Sequence, residues 1–376
     1  MIGKLLRVLA VVAVLAAAAL IGWRVLAPAE VLEPATTAYP VAATVPPGVT
    51  GKLAMAPLIV AGRIRVYAGK RLVKADGPVE AKTMYTARWS FRRWPEQLTG
   101  IVAVAATVVT RWSDGELVAL DGRTGKVAWR AAGPGAAPFA GHTGSAAVWA
   151  PAGLHTAGTG VLVTDGRRLT ARAVADGAER WSVGLPSGCG PGFVTAGGQY
   201  VCGVGAWDAA SGSRVQGWPA GPFTALGCDV ARSGCAGLRD RSGRGWLTGG
   251  GRPPRAPAHD APDATAAGDL VLTASDRAVV ATRAGREVWR RAGAAQVLGV
   301  RAGRAVLLTV DRKLVVLDAG NGAQRTTFPL YAEDERVQAW TSDGWQLTDS
   351  YVAVDRLRPG SGAEPYSMTP VIIATF

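Results

Sequence analysis

The feature that most constrains this chain is a repeated unit: a short apolar strand, an Asp/Gly turn, and a second strand ending in Trp. Its clearest copy is Leu117-Val118-Ala119-Leu120-Asp121-Gly122-Arg123-Thr124-Gly125-Lys126-Val127-Ala128-Trp129-Arg130. A short apolar run bounded by turn residues reads as a strand. Asp bonds its own backbone a few residues ahead and so starts the turn. Gly125 supplies the positive φ that ends it. The Trp offers a large flat face for packing against a neighbouring unit. An excess of Trp, 13 against 6 Phe and 7 Tyr, already points to a recurring Trp position.

Weaker copies run on either side of that unit. Asp76-Gly77 leads to Trp89; Asp176-Gly177 to Trp181; Asp208-Ala209-Ala210-Ser211-Gly212 to Trp218; and Asp240-Arg241-Ser242-Gly243 to Trp246. Arg283-Ala284-Gly285 precedes Trp289, and in Asp318-Ala319-Gly320-Asn321-Gly322 the marker is Phe328. The seven markers lie 40, 52, 37, 28, 43 and 39 residues apart, a mean of about 40, the length of a propeller blade. The gap of 28 is too short for a whole blade and predicts a trimmed unit. Tyr351-Val352-Ala353-Val354-Asp355 and the terminal Val371-Ile372-Ile373-Ala374-Thr375-Phe376 supply one more. The expected fold is all-β: a propeller of about eight four-stranded blades, with seven the alternative, over residues 58–376.

The string 117–130, with 314–322, resembles the repeat of PQQ-like (quinoprotein-like) β-propellers, and the resemblance extends over roughly 58–376. It implies the shape rather than an activity, because that fold carries enzymes, assembly factors and sensors alike. The family's dehydrogenases pair adjacent cysteines over the quinone and hold calcium with Glu, Asn and Asp. Here no two Cys are adjacent and no residues can be carried over to the metal site, so the resemblance implies no quinone chemistry and no cofactor.

The N-terminus carries a second signal. Residues 8–23 hold no charge, with Lys4 and Arg7 before them and Arg24 after. At ~1.5 Å per residue the run covers about 24 Å, and Leu5, Leu6, Val25 and Leu26 extend it toward a ~30 Å hydrocarbon core. Residues 1–27 are therefore expected to be a signal-anchor helix with the body outside the cytoplasm. The alternative is a signal peptide cleaved after Ala27-Pro28-Ala29. Residues 28–57, rich in Pro, Ala and Thr, read as a linker.

The net charge of +13 rests on 41 Lys and Arg, of which only seven are Lys. The Arg residues are scattered without a basic run, a composition that fits a high-GC bacterial coding bias, so nucleic acid is not expected as a partner. The four cysteines, Cys189, Cys202, Cys228 and Cys235, allow three connectivities. Turns at 195–198 and 231–234 favour Cys189–Cys202 and Cys228–Cys235, each stapling neighbouring strands. A zinc site is the alternative, but C-x₂-C spacing and a nearby His are both missing.

His142, His155 and His259 form no metal-binding or catalytic motif, and each reads as a loop or hydrogen-bonded residue. His259 and Asp260 lie in a Gly/Pro/Ala-rich stretch, 248–268, that reads as a flexible inter-blade loop. Gly249-Gly250-Gly251 lacks the Lys-Ser/Thr of a phosphate loop, and G-x-S-x-G does not occur. The sequence thus predicts a non-catalytic extracytoplasmic propeller that binds a protein or cell-envelope partner and is tied to the membrane by its N-terminal helix. The alternatives are a quinone- or metal-dependent oxidoreductase and a ligand-sensing ectodomain.

Overall fold

The computed structural model describes residues 2–82, 87–249, 251–357 and 370–376, with some side chains of the N-terminal helix also left out. Eight antiparallel sheets follow one another along the chain. Blade 1 covers 57–94, blade 2 98–131, blade 3 154–184, blade 4 193–208, blade 5 224–247, blade 6 264–292 and blade 7 295–329. Blade 8 takes three strands from the C-terminal part, Thr341–Leu347, Tyr351–Leu357 and Val371–Thr375, and its fourth from Gly48–Leu53 near the start. That outermost strand pairs antiparallel with Val371–Thr375 and closes the ring with backbone hydrogen bonds. Sharing one sheet between the two ends of the chain ties the last blade to the first.

The strand count differs from four per blade in three places. Blades 4 and 5 have three strands each, whereas blade 1 gains a fifth, Ala29–Glu33, on its outer edge. The short Trp218–Trp246 gap has its cause here. Trp89, Trp129, Trp181, Trp289 and Phe328 sit on fourth strands, but Trp246 sits on the third strand of blade 5. Trp218 follows blade 4 in a segment joined to it by the single bridge Trp207–Arg214.

The segment read as a linker is only partly one. Ala29–Glu33 and Gly48–Leu53 are strands, because each finds an unpaired edge whose N–H and C=O groups it satisfies. Glu30 also meets Arg93 at 3.6 Å and pairs with Arg130 of blade 2. Before it lies α1 (Ile2–Leu26), whose described residues from Leu9 to Leu20 have exposed side chains. Among the described residues no helix is long and apolar enough to cross a membrane, so the expected spanning helix is not shown.

The repeat works through one contact made four times. The Trp indole of one blade lies on the turn glycine of the next and donates its N–H to a carbonyl there. Trp89 donates to Gly122 (2.9 Å), Trp129 to Val174 (2.7 Å), Trp181 to Ala209 (3.2 Å) and Trp289 to Ala319 (2.9 Å). The turn itself is built by Asp121. Its side chain accepts from the Arg123 N–H (2.9 Å) and the Thr124 hydroxyl (3.0 Å), and its carbonyl accepts from the Gly125 N–H (2.6 Å).

Candidate functional site

The innermost strands surround an axial cavity of about 600 Å³. Blades 4 to 8 supply most of its wall, nearly half of it as Ala and Gly, because strands converging on an axis leave little room for side chains. Two insertions narrow it. One is the crossing segment 132–153 between blades 2 and 3, which carries the short helix α2 (Ser145–Trp149). The other is the 227–236 hairpin of blade 5.

The crossing segment is held by groups from four blades. The Trp149 indole donates to the Pro57 carbonyl (2.8 Å), and Thr143 Oγ1 donates to Asp355 Oδ2 of blade 8 (2.7 Å). Arg111 of blade 2, only 2% exposed, spans five carbonyls: Pro134, Gly135, Ala152, Gly153 and Thr164, at 2.8–3.4 Å. Burial lowers the Arg111 pKa, and the more distant Asp165 opposes that. Burial likewise raises the Asp355 carboxyl, against the hydroxyls of Thr143 and Ser145. His142 lies exposed on this segment.

The blade 5 hairpin at the cavity is held by a disulfide and by contacts to neighbouring blades. Cys228–Cys235 closes it, and Cys189–Cys202 staples blade 4 beside it. Cys189–Cys202 spans a sequence separation of 13, so the Cys189→Ser/Cys202→Ser variant should lose about 3 kcal/mol in urea unfolding. Inside the hairpin, Ala231 (φ 57, ψ 23) and Arg232 (φ 50) are both left-handed, a conformation that costs a non-glycine residue roughly 1 kcal/mol or more. Neighbours hold them there. His155 Nδ1 lies 2.8 Å from the Ala231 carbonyl, the Thr156 N–H donates to Ser233 Oγ (3.0 Å), and the Cys235 N–H to Val194 (2.9 Å). Asp229 reaches across to pair with Arg301 of blade 7.

His155 is a structural residue. Burial pushes its imidazole down to about 4, against the raising effect of the Ala231 carbonyl, so the ring is neutral and Nδ1–H donates. Unfolded, the same ring takes up a proton near 6.5. Its contribution to stability is therefore full above pH 6.5 and is lost as pH falls toward 4, about 3 kcal/mol in all. Urea unfolding at pH 7, 6, 5 and 4 is expected to show that decline. In His155→Asn, whose amide can still donate to Ala231, it should be markedly shallower.

His259 corrects the reading of 248–268 as a flexible loop. Its ring is fully buried in the turn Pro257–Asp260, and Asp260 accepts from the Gly245 N–H (2.7 Å) and pairs with Arg255 (2.6 Å). A Cβ at Gly237 or Gly245 would fall 2.7 or 2.1 Å from the His259 side chain, so the ring needs glycine on both strands beneath it. Burial lowers its pKa, with the same sign of pH dependence as His155.

The other marker residues divide by role. Trp246 donates within its own blade to Asp240 (3.1 Å), Trp218 is half-buried, and Phe328 packs toward blade 8 without a polar contact. Sequence reasoning missed Arg111, Arg232 and Trp149; nothing in their local sequence marks them, since each acts through partners on other blades.

The cavity does not supply the donor set of a quinone with its divalent cation. Asp229 is the single carboxylate of its lining and is taken by Arg301. Among the described residues no group of three His, Cys, Asp or Glu is placed to hold a metal ion.

Eight radial sheets, with Trp-on-Gly contacts between successive blades, define a β-propeller of the PQQ-like type. Residues 21–230, more than half of the chain, match the family described as outer membrane protein assembly factor BamB, and the chain belongs to that family. No curated protein matches it in sequence. Among solved structures it is similar to BamB from Moraxella catarrhalis, with 16% identity and a TM-score of 0.44 over 92% of this chain and 97% of that one. It is also similar to a europium-containing methanol dehydrogenase, with 13% identity and a TM-score of 0.44 over 92% and 93%. A third is the quinohemoprotein alcohol dehydrogenase from Comamonas testosteroni, with 13% identity and a TM-score of 0.41 over 92% and 76%.

Proposed function

We propose that this chain is a non-catalytic, extracytoplasmic propeller that serves as a scaffold for a protein partner in the cell envelope. The observation that carries the reading is membership of a family described as an assembly factor. Two disulfides support an oxidising compartment, where such bonds persist. In this reading 1–27 exports the chain and anchors it, and the ring presents its loops to the partner. Only Ala27 and Pro28 separate α1 from the strand Ala29–Glu33, which keeps the anchor close against blade 1.

Cross-linking in intact cells, followed by purification of the full chain, is expected to recover one dominant envelope protein. Recovery of none across several cross-linker lengths overturns the scaffold. Fractionation with N-terminal sequencing should find the chain in membranes with its N-terminus intact. A soluble form beginning at Glu30 would instead establish cleavage after Ala29. The oxidoreductase reading is tested by absorbance titration with the quinone and calcium, where saturable binding overturns the non-catalytic assignment.

A further inference from the structure

We infer that the axial cavity is a binding site for a carboxylate-bearing ligand, with Arg232 as the group that recognises it. Four observations on different residues converge there. The cavity, at about 600 Å³, is large enough for a small polycarboxylate or a few residues of peptide. Nearly half of its wall is Ala and Gly and most of the rest is apolar, so the few polar groups that face it set its selectivity.

Arg232 is exposed toward this space, and among the described residues no carboxylate pairs with it. The other charges of the lining, Asp229 and Arg301, neutralise each other, which leaves the cavity one net positive charge. A guanidinium presents a planar fork of donors that matches a carboxylate.

The fourth observation is strain. Arg232 and Ala231 hold left-handed backbone, where glycine or asparagine would be at ease. The disulfide Cys228–Cys235, the contact of the His155 ring with the Ala231 carbonyl, and the Thr156 N–H on Ser233 all restrain this one turn. Folding alone has no need of arginine at 232, since its side chain makes no ion pair within the described fold. Restraint of this kind around an unpaired charge pre-organises a site for a ligand that comes from outside. The inference stands apart from the scaffold reading: the cavity can bind a carboxylate whether or not a partner is captured.

The carboxylate has two sources, a free small acid or an acidic side chain or terminus of a partner. Calorimetry on the oxidised full chain at 0.15 M salt, with citrate, tetraglutamate, tetraglutamine and inorganic phosphate, separates them. The expected result is saturable binding of citrate or tetraglutamate, at least tenfold weaker in Arg232→Gln and unchanged in Arg277→Gln on the exposed loop of blade 6. Arg232→Gly tests the site apart from folding, because glycine accepts the turn: it should melt no lower than the native chain and lose the binding. Citrate alone indicates a free acid, and tetraglutamate alone a partner's segment. No binding of either, binding equal in Arg232→Gly, or phosphate bound as tightly as carboxylate overturns the proposal.

Discussion

Gly125→Ala is expected to destabilise the propeller by about 3 kcal/mol or more. Gly125 has φ +74, and a Cβ built there would lie 2.4 Å from Cβ of Trp89 and 2.5 Å from its Cγ. The obstacle is the root of the side chain, so no change of rotamer clears it. Nor can the ring move freely: it is 1% exposed, and its N–H is bonded to the Gly122 carbonyl. Relief requires blades 1 and 2 to move apart. Gly158→Ala is the control. Gly158 is also left-handed (φ +55), but nothing lies within 4 Å of its Cβ direction, so it should cost only about 1 kcal/mol. Urea unfolding of the two variants separates them. Equal losses would mean that backbone conformation alone, and not the ring contact, demands glycine in the repeat.

Arg111→Met should cost about 3–5 kcal/mol and loosen one specific segment. Methionine fills much of the same space but donates nothing, so five carbonyls lose a charged donor within a buried site. Hydrogen bonds to charged groups contribute roughly 1.5–3 kcal/mol each, and bonds sharing one guanidinium do not add. Four of the carbonyls, at Pro134, Gly135, Ala152 and Gly153, lie in the crossing segment that narrows the channel. Amide hydrogen exchange should therefore rise across 132–153 more than in blades 6 and 7. A uniform rise over all blades would show that Arg111 supports the ring as a whole and does not clamp this segment.

Much of the architecture was legible because the propeller is a local code repeated. The order strand, Asp/Gly turn, Trp is set within 14 residues at 117–130, and its recurrence at about 40 residues predicts the number of blades. Both disulfides were legible for the same reason, since each joins cysteines across a short turn. What failed was anything that depended on an edge or an axis. The segment 28–57 has linker composition, yet two pieces of it become strands because blades 1 and 8 present edges far away in sequence. The stretch 248–268 looks loose by its Gly and Pro content, yet His259 is buried where Gly237 and Gly245 make room for it.

By itself, then, the sequence determined the propeller class, the blade count of about eight and the disulfide pairs. These follow from short-range rules: turn chemistry, alternation, and the spacing of one large aromatic. Tertiary structure alone decided which strand closes the ring, which blades stay three-stranded and where the axial cavity lies. It alone brought Arg232, Asp229 and Arg301 to one opening. The physical reason is that the axis is where strands from every blade converge. A residue's role there is set by neighbours far along the chain, 72 positions for Asp229 and Arg301 and 92 for Trp149 and Pro57, and no local pattern encodes it.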